Sequence, residues 1–407
     1  MVDEMNKTLF EMLAIADQER IHTQIIAWLL TPEYFALSKI NQAKLIESLF
    51  GLSIHQDEIS KVKIITELNN LDFVLIHGND FIVVENKLKS KQGKDQLSRY
   101  NEVIDNFRTK YKKKYNLHNE PRKFFLTFSG EISNDTKWNC IDYQAVRDAI
   151  SSLDNTNSYI KDYLSLLNRL ISARDEFLKD HRRYKEVFKR SGMKAEDRFD
   201  KPLHPRDDTE KFICENKLER MFIETLYRGV LIKQGFSNAG VDESHGVSLI
   251  QIYFFKFLTP DNKTQLKVGL QIQGSSLKYV LSSTFYHQST KDDLPNELIE
   301  HIELALDKTQ FRSNAARSKA YHSWSRKIAD TQKIENLEGS IFGDWLKTQA
   351  QEAENFWRVH LLNMKENGLI KGFESFCSHY LTQPDTACGL PVCIKLQCIF
   401  FKKHDYR

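Results

Sequence analysis

The chain has 407 residues, of which 41% are hydrophobic and 28% are charged. This is the composition of an ordinary soluble globular protein, and the length suits two or three domains. No apolar run approaches the roughly 18 residues that a membrane-spanning helix requires. The first residues lack the charged-then-apolar pattern of a secretory signal, so we expect a cytoplasmic protein without membrane attachment and with reduced cysteines. The net charge of +3 is close to neutral and identifies no partner.

The first half of the chain is predicted to alternate helices and strands. Apolar residues at helical spacing predict a first helix over Ile21 to Leu29, which ends before Pro32. Apolar runs bounded by turn residues predict strands at 61–67, 71–77, 81–87 and 123–128. Helical periodicity predicts helices at 41–52, 95–107, 143–150 and 159–177. This order predicts an α/β unit over residues 1–178, in which helices flank a mixed sheet.

The second half begins after a charged stretch, residues 179–208, which is predicted to be a basic linker or helix. Two interpretations of this stretch remain open: its charged residues face solvent, or they contact nucleic acid. Residues 209–407 are predicted to form an α+β domain for target recognition or partner docking. Its predicted helices are 211–234, 295–306 and 343–367, and its predicted strands, 247–258, 264–273 and 276–286, form an antiparallel meander.

Candidate catalytic residues lie at the end of a predicted β-hairpin. Asp72 begins one strand, and the next strand ends in Val84-Glu85-Asn86-Lys87. Alternation along a strand puts Glu85 and Lys87 on one face. Charged groups at the end of a buried strand must be paired or bind a metal. Two carboxylates on adjacent strands suit Mg²⁺, and a nearby ammonium can orient the water that attacks a phosphodiester.

These residues and their flanks resemble the PD-(D/E)XK nuclease superfamily, the fold of many restriction endonucleases. Gln96 and Tyr100 are similar to the Gln-x-x-x-Tyr element of many bacterial members, and Glu19 resembles the N-terminal helix glutamate. The proline that often precedes the aspartate is replaced by Leu71. The resemblance covers about residues 10 to 175. It implies a restriction-endonuclease-like mixed sheet, catalytic Asp72, Glu85, Lys87 and Gln96, and a metal site at Glu19, Asp72 and Glu85.

The short motif alone has little specificity, because Glu-Asn-Lys-Leu occurs at residues 85–88 and again at 215–218. The second copy follows no strand and is predicted to lie on a solvated helix surface. The basic residues after the first copy, Lys89, Lys91, Lys94 and Arg99, are predicted either to bind a nucleic-acid backbone or simply to face solvent. A second basic segment over 312–327 has the same two interpretations. Cys377, Cys388, Cys393 and Cys398 do not have zinc-pair spacing and are predicted to be buried thiols.

The leading hypothesis is a Mg²⁺-dependent endonuclease that hydrolyses DNA, with Mn²⁺ able to substitute. Analogy with the family suggests anti-phage defence or restriction, with a protein partner from a defence operon or a homo-oligomer. Two alternatives remain open. One is a nuclease fold kept for docking in a larger defence complex, with cleavage dispensable. The other is an RNase, because the metal chemistry does not depend on the 2′-hydroxyl.

Overall fold

A mixed five-stranded sheet forms the centre of the N-terminal half. The computed structural model describes residues 7–89, 96–133, 135–154, 157–236, 239–244, 246–260, 265–283, 294–315 and 321–375. The strands of this sheet are β1 (Lys63–Leu68), β2 (Leu71–His77), β3 (Asp80–Lys87), β4 (Arg122–Thr127) and β5 (Trp138–Asp142), in that spatial order. Strands β1 to β3 are antiparallel, whereas β3, β4 and β5 are parallel. The predicted mixed α/β fold is confirmed; β5 was not predicted, because its five residues carry little apolar pattern.

Helices cover both faces of this sheet. They are α1 (Leu9–Met12), α2 (Glu19–Leu30), α3 (Lys39–Phe50), α4 (Gln96–Tyr115), α5 (Tyr143–Ser151) and α6 (Ser158–Lys179). Gly51 ends α3 in the left-handed conformation that favours glycine. The predicted end of α4 at Phe107 is wrong. Tyr111 and Tyr115 continue the stripe of Phe107 at helical spacing, and the rings of Phe107 and Tyr111 are 4.7 Å apart.

A second sheet, entirely antiparallel, occupies the C-terminal half. Its strands are β6 (Ala239–Ser244), β7 (Val247–Leu258), β8 (Gln265–Gln273), β9 (Ser276–Ser283), β10 (Arg312–Ala315), β11 (Tyr321–Lys327) and β12 (Phe373–Ser375). The spatial order is β10-β11-β9-β8-β7-β12, and β6 also pairs with β7. Strands β7, β8 and β9 are the predicted meander, so this part of the prediction is confirmed. Residues 284–286 of the third predicted strand lie outside the described residues.

The helices of the C-terminal half are α7 (Lys185–Arg190), α8 (Ala195–Asp200), α9 (Asp208–Glu215), α10 (Glu219–Lys233), α11 (Asn296–Ala305) and α12 (Gly339–Glu366). The prediction of one helix over 211–234 is wrong. The helix is interrupted between Asn216 and Leu218. Here Lys217 has a φ of 55°, and the Asn216 side-chain amide donates to the Phe212 carbonyl at 2.8 Å. The second Glu-Asn-Lys-Leu copy therefore lies at a break between two helices.

One buried apolar cluster includes residues of both halves. The ring of Phe222 on α10 lies 6.0 Å from that of Phe128, which follows β4, and 5.7 Å from that of Phe177 on α6. A buried hydrogen bond of 2.7 Å joins Arg228 on α10 to the Ser129 hydroxyl. Helix α10 therefore holds the C-terminal half against the strand ends that carry the candidate site. Within the described ranges, no helix is long and apolar enough to cross a bilayer.

Candidate active site

The β2–β3 hairpin brings the predicted aspartate and glutamate together. Asp72 comes one residue before Phe73, which pairs with Val84, and Glu85 follows Val84 on the adjacent strand. Asp72 Oδ2 accepts a hydrogen bond of 2.6 Å from the Asn86 backbone N–H. The tight turn that allows this register contains Gly78, whose φ of 56° suits glycine. The hairpin thus fixes both carboxylates on neighbouring backbone segments.

Glu85 is the most buried carboxylate of the site, with 1% of its surface exposed. Its Oε1 accepts from Lys87 Nζ at 2.7 Å and from Gln96 Nε2 at 2.8 Å. Its Oε2 is buried without a hydrogen-bond partner among the described residues. Burial, strengthened by the charge of Asp72, raises the pKa of Glu85 to about 8 despite the attraction of Lys87. Burial raises the pKa of Asp72 as well.

Lys87 lies between two carboxylates. Its Nζ is 2.7 Å from Glu85 Oε1 and 3.3 Å from Glu19 Oε1. Burial by itself would lower the pKa of the ammonium, but Glu85 and Glu19 outweigh this effect and raise that pKa above its ordinary value. The two carboxylates therefore favour the ammonium form of Lys87, which donates hydrogen bonds to them.

Glu19 occupies the first turn of α2 and faces the site. Besides Lys87, its carboxylate accepts from the Leu88 backbone N–H through Oε2 at 2.9 Å. About a quarter of its side chain is exposed, 24%. A carboxylate at a helix N-terminus is also favoured by the helix dipole. Glu19 therefore orients Lys87 in this arrangement, and its role as a metal ligand stays a prediction.

Gln96 is the first residue of α4 and reaches the site from the other side of the hairpin. Its Nε2 lies 2.8 Å from Glu85 Oε1 and 2.8 Å from the Tyr100 hydroxyl. Tyr100 follows one turn later on the same face of α4, so the two side chains contact each other. The Gln-x-x-x-Tyr element thus connects α4 to the buried carboxylate of β3.

Asn86 organises the site from the opposite face of β3, a role that was not predicted from the sequence. The residue is fully buried. Its amide donates to the Thr23 hydroxyl at 2.9 Å and to the Glu19 carbonyl at 3.3 Å, and it accepts from the Tyr143 hydroxyl at 2.8 Å. An asparagine on the core face of an apolar strand must find such partners. That requirement was the signal available in the sequence.

His22 also belongs to this buried support and does not reach the reacting groups. Its Nδ1 lies 3.1 Å from the Tyr163 hydroxyl and its Nε2 lies 3.0 Å from the Ala16 carbonyl. Burial lowers its pKa to about 4, so the ring is neutral at physiological pH. We assign Nε2 as the donor, because a carbonyl can only accept. These contacts give His22 a structural role.

The donor set suits a divalent cation that is bound by few protein ligands. Among the described residues, no three His, Cys, Asp or Glu side chains converge as a ready-made metal group. Mg²⁺ commonly uses only one or two carboxylates and retains several waters. Asp72 and Glu85 supply two neighbouring carboxylates, and the buried, unpaired Glu85 Oε2 needs a partner. These two residues therefore fit Mg²⁺, whereas the oxygens of Glu19 already contact Lys87 and Leu88.

The predicted nucleic-acid contacts have different environments. Lys89 pairs with Asp17, and the two charged groups are 2.6 Å apart. Arg99 is exposed on α4. Lys91 and Lys94 lie outside the described residues, as do the four cysteines from Cys377 onward. In the 179–208 stretch, several arginines bind acids of the chain, including Arg198, whose guanidinium contacts Glu219 at 2.7 Å.

The mixed five-stranded sheet and its flanking helices are consistent with a restriction-endonuclease-like fold. Residues 8–185 match the family model of the PD-(D/E)XK nuclease superfamily. Searches of curated proteins and of solved structures gave no match. The family match ends near the start of α7, so it covers the five-stranded sheet and the candidate site but none of the second sheet.

Proposed function

We propose that this protein is a Mg²⁺-dependent endonuclease that hydrolyses DNA phosphodiester bonds, with Mn²⁺ able to substitute. The observation that carries the proposal is the cluster of buried Glu85 and Lys87 with half-buried Asp72 and Gln96, in which Glu85 Oε2 has no partner among the described residues. A purely structural ion pair would not need a second carboxylate beside it. The superfamily match over residues 8–185 supports the same class of reaction.

Each residue has a distinct proposed role. Asp72 and Glu85 would hold the cation, which when bound neutralises phosphate charge and lowers the pKa of a coordinated water. Lys87, as an ammonium, would orient the attacking water and donate to the phosphate oxygens as negative charge accumulates. Gln96 would fix the Glu85 carboxylate through Oε1, so that Oε2 remains directed to the cation. Asn86 and Glu19 would hold β3 against α2.

The test is cleavage by the purified full chain. Plasmid, linear duplex, single-stranded DNA and RNA are each incubated with Mg²⁺, Mn²⁺ or EDTA. We expect DNA to be cut with either metal and not with EDTA, and Lys87→Ala to be inactive. The second copy of the motif supplies the matched control, because Lys217 is exposed at a helix break and Lys217→Ala should cut normally. Full activity of Lys87→Ala would contradict the mechanism.

The same assay separates the alternatives. Cleavage of RNA alone would identify an RNase. A docking protein without cleavage would bind no Mg²⁺ in a calorimetric titration, and its Glu85→Gln variant would behave like the unchanged protein. The nuclease proposal requires metal binding that Glu85→Gln abolishes.

We also propose a cytoplasmic role in bacterial defence, with the C-terminal half contacting a target, a protein partner or a second copy of the chain. This rests on analogy with the family that residues 8–185 match. Expression in bacteria challenged with phage should lower plaque counts, and Lys87→Ala should remove the protection. Equal plaque counts with and without the active protein would contradict the defence role.

A further inference from the structure

The seven-stranded sheet has two faces of opposite character. Helix α12 covers one face, where Trp357 Nε1 donates to the Gly269 carbonyl at 3.0 Å and the Trp357 ring lies 6.1 Å from that of Trp324. On the other face, alternation along the paired strands brings together Tyr253, Lys267, Gln271, Lys278, Ser282 and Tyr321. We call this second surface the polar sheet face. It carries amides, hydroxyls and ammonium groups beside two buried aliphatic residues, Leu249 and Val280.

Basic residues outnumber acids among the described residues of the polar sheet face. The register adds Lys256, Arg312 and Lys327 to Lys267 and Lys278, whereas the acids are Glu374 and Asp242. Glu374 pairs with Lys256 at 2.9 Å. Arg326, in contrast, points to the covered face, where its guanidinium lies over the Phe311 ring. The described residues of the predicted basic segment 312–327 are thus divided between the two faces, and those of the polar sheet face include more basic than acidic side chains.

Two polar groups on this face lack a partner among the described residues: Lys278 has no carboxylate, and Ser282 has no hydrogen-bond partner. Lys278 is half-buried, and its Nζ donates to the neutral Gln273 Oε1 at 2.7 Å; no described carboxylate pairs with it. Burial lowers its pKa accordingly. Ser282 is 2% exposed, and its hydroxyl has no hydrogen-bond partner among the described residues. A phosphate oxygen would supply an acceptor for both groups.

Aromatic rings lie beside these cations. Lys267 Nζ is 3.9 Å from the centre of the Tyr253 ring, which is partly exposed. The Tyr321 hydroxyl reaches across β9 to Gln271 Oε1 at 2.6 Å, so this ring lies over the sheet. Sheet surfaces that combine stacking rings with lysines bind single-stranded nucleic acids, because bases stack on the rings and phosphates meet the cations.

We propose that the polar sheet face binds a single strand of nucleic acid and so presents substrate to the chain. The proposal rests on the nuclease function proposed above. Duplex nucleic acid fits less well, because its bases are already stacked and cannot reach Tyr253. An acidic protein segment would match the charge but would not use the ring, so it is an outcome of the test.

The experiment measures binding by the full chain in EDTA, where cleavage is absent. The probe is a fluorescein-labelled DNA or RNA strand of about 20 nucleotides. This is longer than the roughly 4–16 nucleotides that a single-strand-binding domain usually covers. Fluorescence anisotropy compares the unchanged protein with Lys267→Gln/Lys278→Gln and with Tyr253→Ala. The matched control removes two charges outside the polar sheet face, as Lys308→Gln/Lys365→Gln, since both lysines are exposed and neither lies on a strand of this sheet.

We expect the double lysine variant to weaken binding about tenfold at low salt and to reduce the slope of log affinity against log salt by about 1.4, or about 0.7 for each lost phosphate contact. Tyr253→Ala should weaken binding by a similar factor, and the control should not. The proposal would be overturned if both face variants bound the strand unchanged or if duplex bound with equal affinity. It would also be overturned if the face variants weakened only the binding of polyglutamate, which stands for an acidic protein segment. Binding is measured in EDTA and cleavage in Mg²⁺, so a failed nuclease function is seen separately from a failed binding face.

Discussion

Two substitutions of Asp72 should separate its chemical role from its structural role. Asp72 Oδ2 accepts the Asn86 N–H at 2.6 Å, and Asn86 is fully buried. Asp72→Asn keeps an oxygen acceptor at this place and removes the negative charge. Asp72→Ala removes the acceptor and leaves the Asn86 N–H without its partner in the folded protein. Leaving a buried backbone donor unpaired costs about 1–3 kcal/mol.

Both variants should lose cleavage, because each removes one of the two neighbouring carboxylates. A carboxylate that holds a catalytic metal contributes several kcal/mol to transition-state stabilisation, so a loss of about a thousandfold or more is expected. Thermal unfolding in EDTA should find Asp72→Asn as stable as the unchanged protein, because burial already raises the pKa of this carboxyl and disfavours its charge. Asp72→Ala should unfold at a lower temperature.

The assay combines plasmid nicking with Mg²⁺, calorimetric titration of Mg²⁺, and thermal scans of both variants. The reasoning would be refuted by Asp72→Asn cutting within tenfold of the unchanged protein. It would also fail if the two variants had equal stability, because the Asn86 hydrogen bond would then contribute nothing measurable.

Three further predictions follow from the contacts of the site. Gln96→Ala should slow cleavage about tenfold with an unchanged unfolding temperature, since it removes one donor to Glu85; an unchanged rate in the nicking assay would contradict this. If Glu19 is a metal ligand, Glu19→Gln should weaken Mg²⁺ binding tenfold or more; if Glu19 only orients Lys87, the variant should slow cleavage without changing the Mg²⁺ affinity. Calorimetric titration distinguishes these outcomes. No change in affinity or in cleavage rate would exclude both roles. The unfolded state takes up a proton on His22 below pH 6.5, whereas the folded state does so only near pH 4, so urea unfolding should show up to about 3 kcal/mol lost between these pH values. His22→Gln should lose less over the same interval, and an equal loss would show that another group is responsible.

The hairpin could be predicted because its signals are local. Apolar alternation and the Gly78 turn define β2 and β3, and Glu85 and Lys87 then fall on one face by the geometry of a strand. The predicted bounds of β2 and β7 agree with the structure, since turn residues enclose both. These are the parts of the fold in which neighbouring residues determine the conformation.

The errors arose where distant contacts decide the conformation. Helix α4 continues to Tyr115 because its aromatic stripe packs on itself and on Phe81, although lysines dominate the sequence there. The break between α9 and α10 lies inside apolar periodicity that continues on both sides, so the pattern could not reveal it. It depends on Lys217 adopting a positive φ.

The sequence by itself determined the strand–turn–strand unit, the spacing of Asp72, Glu85 and Lys87, and the chemistry that these groups can support. Strand periodicity and residue type are sufficient for that. Only the tertiary structure decided that Gln96 bonds Glu85, that Glu19 contacts Lys87, and that Asn86 connects β3 to α2 and α5. These contacts join residues on separate elements, and their partners depend on how the helices pack across the sheet. The same reason applies to the polar sheet face, whose basic and aromatic residues come from five separate strands and meet only after the strands pair.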